Sequence, residues 1–218
     1  MESVDFSGDV AEYYDDVIDR GYHDNKKYLL ELPKIIGKKE KVLEIGCGTG
    51  KILLELLGMG INAEGLDVSK FMVEKLKSKN KEAVVHMSNL NDFNPRSKYD
   101  YIVSCNGPFS IKGDEIETYV LYKEKISKIL HKYIKMSKKG LLINKGIEKP
   151  RLKIKLKEGE IFEHRESKVN NFVIMTNLIF KNDNFVGIRT FIKKRYKINE
   201  LLKNYKIKDF GNFKLISI

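Results

Sequence analysis

The chain has 218 residues, 42% of them hydrophobic and 33% charged, with a formal net charge of +11. That length and balance describe a soluble globular protein of one sizeable domain, and the absence of any run of 18 apolar residues excludes a membrane-spanning helix. The first residues, Met1-Glu2-Ser3-Val4-Asp5-Phe6, lack the basic and apolar regions of a secretory signal, and the two distant cysteines, Cys47 and Cys105, fit the reducing cytoplasm better than a disulfide framework.

In chain order, the first forty residues read as helix. Ser7 or Asp9 is placed to cap a segment whose Val10, Tyr13, Tyr14, Val17 and Ile18 share one face, and a second helix runs through Tyr28 to Leu32 and ends near Pro33 to Gly37. The pattern then changes. Short apolar strands are expected at Lys41–Ile45, Ile61–Leu66, Ala83–Met87, Tyr99–Ser104 and Leu141–Asn144. Helices are expected between them at Lys51–Leu57, at Phe71–Lys79 behind a Ser69 cap, and from Asp114 to Met136 on a stripe of Ile116, Val120, Ile126, Ile129, Leu130 and Tyr133. This alternation indicates βαβ units and a parallel sheet covered on both faces. After Pro150 the texture becomes alternating strands: Leu152–Lys157, Ile161–Glu166, Phe172–Phe180 and Gly187–Lys194, then a short helix at Ile198–Asn204 and a final strand. Residues 149 to 218 hold 17 Lys+Arg against 7 Asp+Glu, so nearly all of the excess charge lies there. Two readings stand: attraction to an acidic partner such as nucleic acid, or lysines that fill solvated faces and guard an edge strand.

The strongest motif is Glu44-Ile45-Gly46-Cys47-Gly48-Thr49-Gly50, which follows an apolar strand and opens a helix. Glycines let a backbone turn sharply and come close to a ligand. The spacing is neither G-x-G-x-x-G nor that of a P-loop, and a carboxylate two residues before the first glycine suits a cationic group rather than a pyrophosphate. Asp67 ends the next strand, where a carboxylate can accept both hydroxyls of a ribose. Ser88-Asn89-Leu90 and Cys105-Asn106-Gly107-Pro108-Phe109 follow the third and fourth strands. All four features sit at carboxyl ends of strands, where the ligand crevice of an open α/β sheet lies.

These residues resemble those of class I S-adenosylmethionine-dependent methyltransferases, above all the bacterial small-molecule and glycine N-methyltransferase-like group. The match runs from about Lys41 to Asn144. The glycine string resembles the family's first motif, Leu66-Asp67-Val68-Ser69 its acidic ribose motif, with Met72 near the adenine, and Tyr99-Asp100-Tyr101-Ile102-Val103 its fourth strand. Glu12-Tyr13-Tyr14-Asp15 resembles a segment that folds over the methionine half of the cofactor, and Lys194-Arg195-Tyr196 through Leu201 a stretch before the last strands. Asn89 stands where the family has Asp, and its carbonyl is expected to accept the adenine amino group. No "aGF" precedes the final strands; Tyr205-Lys206-Ile207 stands there.

The resemblance implies a Rossmann-like, seven-stranded, mostly parallel sheet with helices on both faces. It implies one methyltransferase domain over residues 1–218: a helical lid (1–39), a cofactor-binding core (40–148), and C-terminal strands with a small antiparallel insertion on the substrate side (149–218). The cofactor is S-adenosyl-L-methionine, bound by Tyr14, Glu44, Ile45, Gly46, Cys47, Gly48, Gly50, Asp67, Val68, Met72, Ser88, Asn89, Leu90 and Cys105. Asn106-Gly107-Pro108-Phe109 also resembles the N-P-P-[YF] motif of amine methylators, whose Asn accepts a hydrogen bond from the target amino group; Gly107 replaces the first Pro. Asn106 and His23, a candidate base, are the catalytic candidates, and no metal is expected because the four histidines form no close pair. The implied reaction is in-line methyl transfer to a small molecule, an amine before a hydroxyl since no base dyad is seen. An RNA or protein methyltransferase docking through the basic third, or a non-catalytic binding module, are the alternatives. A cytoplasmic monomer or homodimer is expected.

Overall fold

The computed structural model describes residues 8–21, 25–119, 123–146, 151–156, 159–182 and 184–218. Two sheets organise the chain. The first has seven strands: β1 (Lys41–Ile45), β2 (Asn62–Asp67), β3 (Val85–Met87), β4 (Tyr99–Ser104), β7 (Ser137–Asn144), β12 (Lys206–Phe210) and β13 (Phe213–Ser217), in the order β12-β13-β7-β4-β1-β2-β3. The five strands from β7 to β3 run parallel, and β13 lies antiparallel to both of its neighbours. Parallel strands covered on both faces read as near-continuous apolar runs, and in Val42-Leu43-Glu44-Ile45, buried at every position, Glu44 is the exception. Leu43 and Ile45 face a core built with Ile126, Ile129, Leu130 and Tyr133 of α5 (Lys123–Met136). Val42 faces the opposite core, with Leu32 and Ile36 of the α2 region (Asn25–Ile35) and Leu53 and Leu56 of α3 (Leu53–Gly58).

From β1 the chain steps outward to β2 and β3, then returns to the other side of β1 as β4. The strand order therefore reverses between β1 and β4, and the carboxyl ends of these two strands diverge into a crevice. α4 (Lys70–Lys79) begins just beyond β2, capped by the Ser69 hydroxyl, which accepts the Met72 N–H at 3.5 Å.

The second sheet has six antiparallel strands: β5 (Phe109–Lys112), β6 (Glu115–Thr118), β8 (Arg151–Lys155), β9 (Ile161–Val169), β10 (Phe172–Lys181) and β11 (Asn184–Lys197), in the order β5-β6-β11-β10-β9-β8. This corrects two expectations. The helix expected from Asp114 starts at Lys123; before it, residues 109–118 form a hairpin turning at Gly113, whose φ is +62°. Ile116 has the spacing of a helical stripe, yet it faces Ile111 across the hairpin and joins the core with it (Val120 lies outside the described residues). The insertion is also not confined to the C-terminal third, because β6 pairs with β11 from Glu115 to Thr118. A single parallel bridge, Ile111 to Lys145, ties the second sheet to the end of β7.

α1 (Gly8–Gly21) lies between the two sheets. Val17 and Tyr13 pack on Leu152, Ile154, Leu156, Phe162 and Ile179 of the second sheet. On the first-sheet side, the Asp15 carboxylate accepts the Thr49 hydroxyl at 2.5 Å and pairs with Lys79 at 2.6 Å, and Asp19 pairs with Lys51 at 2.6 Å. Burial pushes the Asp15 carboxyl up, but the bonds from Lys79 and Thr49 hold it below its ordinary value.

The second sheet buries charge. Glu117, 3% exposed, accepts from Lys193 at 3.1 Å and from Arg195 at 3.0 Å. Removing one member of such a group strands the others. Glu117→Leu is expected to lower stability by about 3–5 kcal/mol, read by urea unfolding; a change below about 1 kcal/mol would mean the two cations find other partners.

Candidate active site

Four loops meet at the carboxyl ends of β1, β2, β4 and β7. The glycine loop leaves β1 with Gly46, Gly48 and Gly50 all at positive φ (70°, 53° and 83°), a conformation other residues adopt at a cost. Its close packing sets the first and last of these glycines: a Cβ on Gly46 would sit 2.5 Å from Pro108 Cδ, and one on Gly50 2.7 Å from Leu76 Cγ. At Gly48 a Cβ would meet nothing within 4 Å, so this turn of backbone faces open space. Gly48 N–H donates to Asp67 Oδ2 at 2.7 Å, and Ser69 N–H donates to Asp67 Oδ1 at 2.9 Å. The carboxylate that ends β2 is thus aimed by the glycine loop on one side and by the start of α4 on the other.

Glu44 is the unusual residue. It is 1% exposed, it accepts the Leu53 backbone N–H, and its Oε2 has no hydrogen-bond partner among the described residues. Burial, then the charge of Asp67, push its carboxyl well above the usual range. Tyr14 of α1 stands over the same space, its phenol raised by burial and by Tyr119, Asp67, Asp15 and Glu44, so it stays protonated as a donor. Tyr14, Ile18, Glu44, Gly46, Cys47, Thr49, Cys105 and Asn106 surround a cavity of about 30 Å³, together with Lys51 and Ile52. Burial and Glu44 also raise the thiols of Cys47 and Cys105, which stay protonated.

Asn106 follows β4 at φ +53° and is held by a residue that sequence reading treated only as a strand end. Asn144, fully buried at the end of β7, accepts the Asn106 N–H at 3.0 Å through Oδ1. Its Nδ2 donates to Asn106 Oδ1 at 2.8 Å and to the Tyr28 hydroxyl at 3.0 Å. Gly107 is confined in turn: a Cβ there would lie 2.5 Å from the Ile45 carbonyl oxygen. The loops after β1 and β4 therefore fit together only with glycine at both contact points.

The remaining predicted residues divide. Ile45 points into the core, leaving its backbone to the loop. Val68, with Phe71 beside it, is exposed near the end of β2, whereas Met72 is 2% exposed and turned inward, so the apolar surface open on that side is Val68 and Phe71. Ser88 N–H donates to the Asp67 carbonyl at 3.0 Å, and the Leu90 carbonyl accepts the Tyr133 hydroxyl at 3.1 Å. Asn89 departs from expectation. Its carbonyl oxygen accepts the N–H groups of Asn91 and Asp92 at 2.9 and 3.0 Å, and its amide donates to the Asp92 carboxylate. A short polar side chain in a tight turn caps its own backbone, and here that use takes the oxygen expected for an adenine amino group. His23 lies outside the described residues. His86 bonds Glu64 at 2.8 Å and His164 bonds Asn177 at 2.6 Å, each within its own sheet.

Comparison with known proteins fits this geometry. Residues 42–127 match the family model described as a methyltransferase domain. Over 106 residues the chain is 31% identical to dTDP-3-amino-3,6-dideoxy-alpha-D-glucopyranose N,N-dimethyltransferase of Streptomyces fradiae; the alignment takes in 47% of this chain and 41% of that enzyme. The chain thus spans about two fifths of the curated relative it matches. Among solved structures, an S-adenosylmethionine-dependent methyltransferase from Clostridium acetobutylicum superposes with a TM-score of 0.67 at 16% identity, covering 96% of this chain and 98% of that one. CalS10, an amino pentose methyltransferase from Micromonospora echinaspora bound to S-adenosylmethionine, superposes with a TM-score of 0.70 at 11% identity over 100% of both chains. DesVI of Streptomyces venezuelae gives 0.70 at 12% identity over 97% and 99%. Residues 42–127 thus match a methyltransferase-domain model, and the chain has the fold of the S-adenosylmethionine-dependent methyltransferases it superposes on.

The Asn144 bridge is testable. Asn144→Ala leaves the Asn106 N–H and carbonyl and the Tyr28 hydroxyl without this partner, and is expected to cost about 1–3 kcal/mol in thermal or denaturant unfolding. Unchanged stability would show that water replaces the amide at no cost.

Proposed function

We propose that this protein transfers the methyl group of S-adenosyl-L-methionine to an amine of a small molecule. The observation that carries the reading is the pair of acids at the crevice: Glu44, buried with one oxygen unpartnered among the described residues, and Asp67, bonded to the glycine loop through Gly48 N–H at 2.7 Å. The first suits the ammonium end of the cofactor and the second its ribose hydroxyls. Gly48, with open space on its Cα, lets the cofactor lie against the backbone between them. Val68 and Phe71 offer apolar surface to the adenine. When bound, the cofactor supplies an activated methyl group on a sulfonium.

The protein's own part is position and exclusion of water. α1 covers the crevice, fastened by Asp15 to Thr49 and Lys79. Tyr14 and Asn106 border the cavity, and Asn144 fixes the orientation of the Asn106 amide beside it. A neutral amine attacking a sulfonium disperses charge, so an approach direction matters more than a strong base. The N-methylating sugar enzyme of Streptomyces fradiae and the amino pentose enzyme CalS10 support an amine acceptor.

Lid, core and second sheet work as one unit, with α1 resting on the second sheet through Tyr13 and Val17. Many cations of the basic third are tied into ion pairs: Arg151 and Arg165 to Glu163, Lys181 to Glu160, Lys193 and Arg195 to Glu117, and Lys197 to Asp114. That pairing favours a small acceptor over a nucleic-acid docking face. A cytoplasmic location fits the two buried thiols.

The test is incubation with S-adenosylmethionine and a panel of small amines, amino sugars included, read by mass. Addition of one or two methyl groups to an amine is expected; turnover of RNA or protein alone would replace the small-molecule reading. Asp67→Ala is expected to keep the fold and weaken cofactor binding by at least about tenfold, the loss of charge-assisted hydrogen bonds worth about 1.5–3 kcal/mol each. Near-native affinity in that variant would remove Asp67 from the site.

A further inference from the structure

Glu44 is an acid held where, among the described residues, no base answers it. Its position is fixed by β1, whose neighbouring side chains are buried on both faces, so it cannot swing to water. From β2 it faces the Asp67 carboxylate; from α1, the Tyr14 phenol; from its own loop and the β4 loop, the thiols of Cys47 and Cys105. Asp15, next along α1, is tied to Thr49 and Lys79, and Lys51, the cation among the described residues lining the cavity, pairs with Asp19 at 2.6 Å. The α3 backbone contributes one hydrogen bond, from Leu53 N–H, and Oε2 remains without a partner among the described residues. Burying a charge without a counterion is unfavourable enough that such a group neutralises itself.

We propose, on the cofactor reading above, that Glu44 holds a proton in the cofactor-free protein and loses it to solvent as the ammonium end of S-adenosylmethionine arrives. Capture of the cofactor is then an exchange of one cation for another. The carboxylic acid gives up its proton to buffer, and the carboxylate so formed pairs with the incoming ammonium; no other bond changes. The unloaded site thereby avoids a buried charge on Glu44 beside the part-buried carboxylate of Asp67. The exchange also selects: a nucleoside that lacks the amino acid end has nothing to put in the proton's place. Burial and Asp67 raise the Glu44 carboxyl, which supports the same conclusion. The sign follows. Binding favours ionised Glu44, so cofactor affinity rises with pH while the free protein holds the proton. It levels once that group ionises unaided, and falls again above the α-amino range of about 7.7–8.0.

The experiment is titration calorimetry with S-adenosylhomocysteine, which cannot turn over, at about pH 6.5, where its amino group is charged. Heats are compared in buffers of different ionisation enthalpy, whose slope counts protons. Wild type is expected to release up to about one proton per ligand bound. Methylthioadenosine, which lacks the amino acid end, is expected to release none, and Glu44→Gln to bind the homocysteine compound more weakly with no proton released. In wild type alone, affinity should climb by up to about tenfold per pH unit below the plateau, which keeps the test independent of the variant's folding. Binding without buffer-dependent heat and with flat affinity, or an unchanged proton count in Glu44→Gln, overturns the exchange alone. Failure of wild type to bind at any pH overturns the cofactor reading and the exchange with it.

Discussion

A buried carboxylate that lacks a full set of partners among the described residues stands at the end of β1, beside a part-buried one at the end of β2, and the surrounding architecture explains how both are kept there. Glu44 is carried by a strand whose other side chains are locked into two cores, so its backbone has no freedom to relieve the side chain. Asp67 is held by N–H groups from two elements. A fold that wanted only stability would place a leucine at Glu44. The retained acid makes sense when a cation completes it, and this is the physical basis for reading the crevice as a site for a zwitterionic, positively charged cofactor.

The crevice needs a floor and a roof. The floor is the fit of two loops, Gly46 under Gly107-Pro108, where a single added carbon would collide with the neighbouring loop. Asn144 then fixes the Asn106 end of that fit from the next strand. The roof is α1. It has an apolar face on the second sheet and an ionic fastening on the first, through Asp15, Asp19, Lys79 and Lys51. Apolar packing holds a helix in place without fixing its angle closely, whereas the ion pairs set where it closes and weaken with salt. The second sheet thus does more than extend the chain: it gives the roof something to rest on.

Much of this was legible in the sequence, and the reason is local. The strand-glycine-helix order around Glu44 to Gly50, the acid ending β2, and the Ser69 cap are short-range patterns whose physics does not depend on distant residues. β1 and β4 have the bounds their apolar runs indicate. What was missed depends on partners far along the chain. The hairpin at Phe109–Thr118 exists because β11 pairs with it far along the chain, from Lys194↔Thr118 to Lys197↔Glu115, and nothing in Ile116 itself distinguishes a helix stripe from a strand. Asn144 looked like a strand terminus because its work is done on Asn106, 38 residues earlier. Gly113 was the available signal for the hairpin, and the Asn89-Leu90-Asn91-Asp92 run was the available signal that Asn89 serves its own turn.

The measurement that bears most directly on the site is a crystal structure of the protein with S-adenosylhomocysteine. The account predicts the amino group within hydrogen-bond distance of Glu44 Oε2, the ribose hydroxyls on Asp67, and α1 closed over the ligand through Tyr14. A ligand seated away from the β1–β4 crevice, or one whose amino group leaves Glu44 Oε2 without a partner, would contradict it.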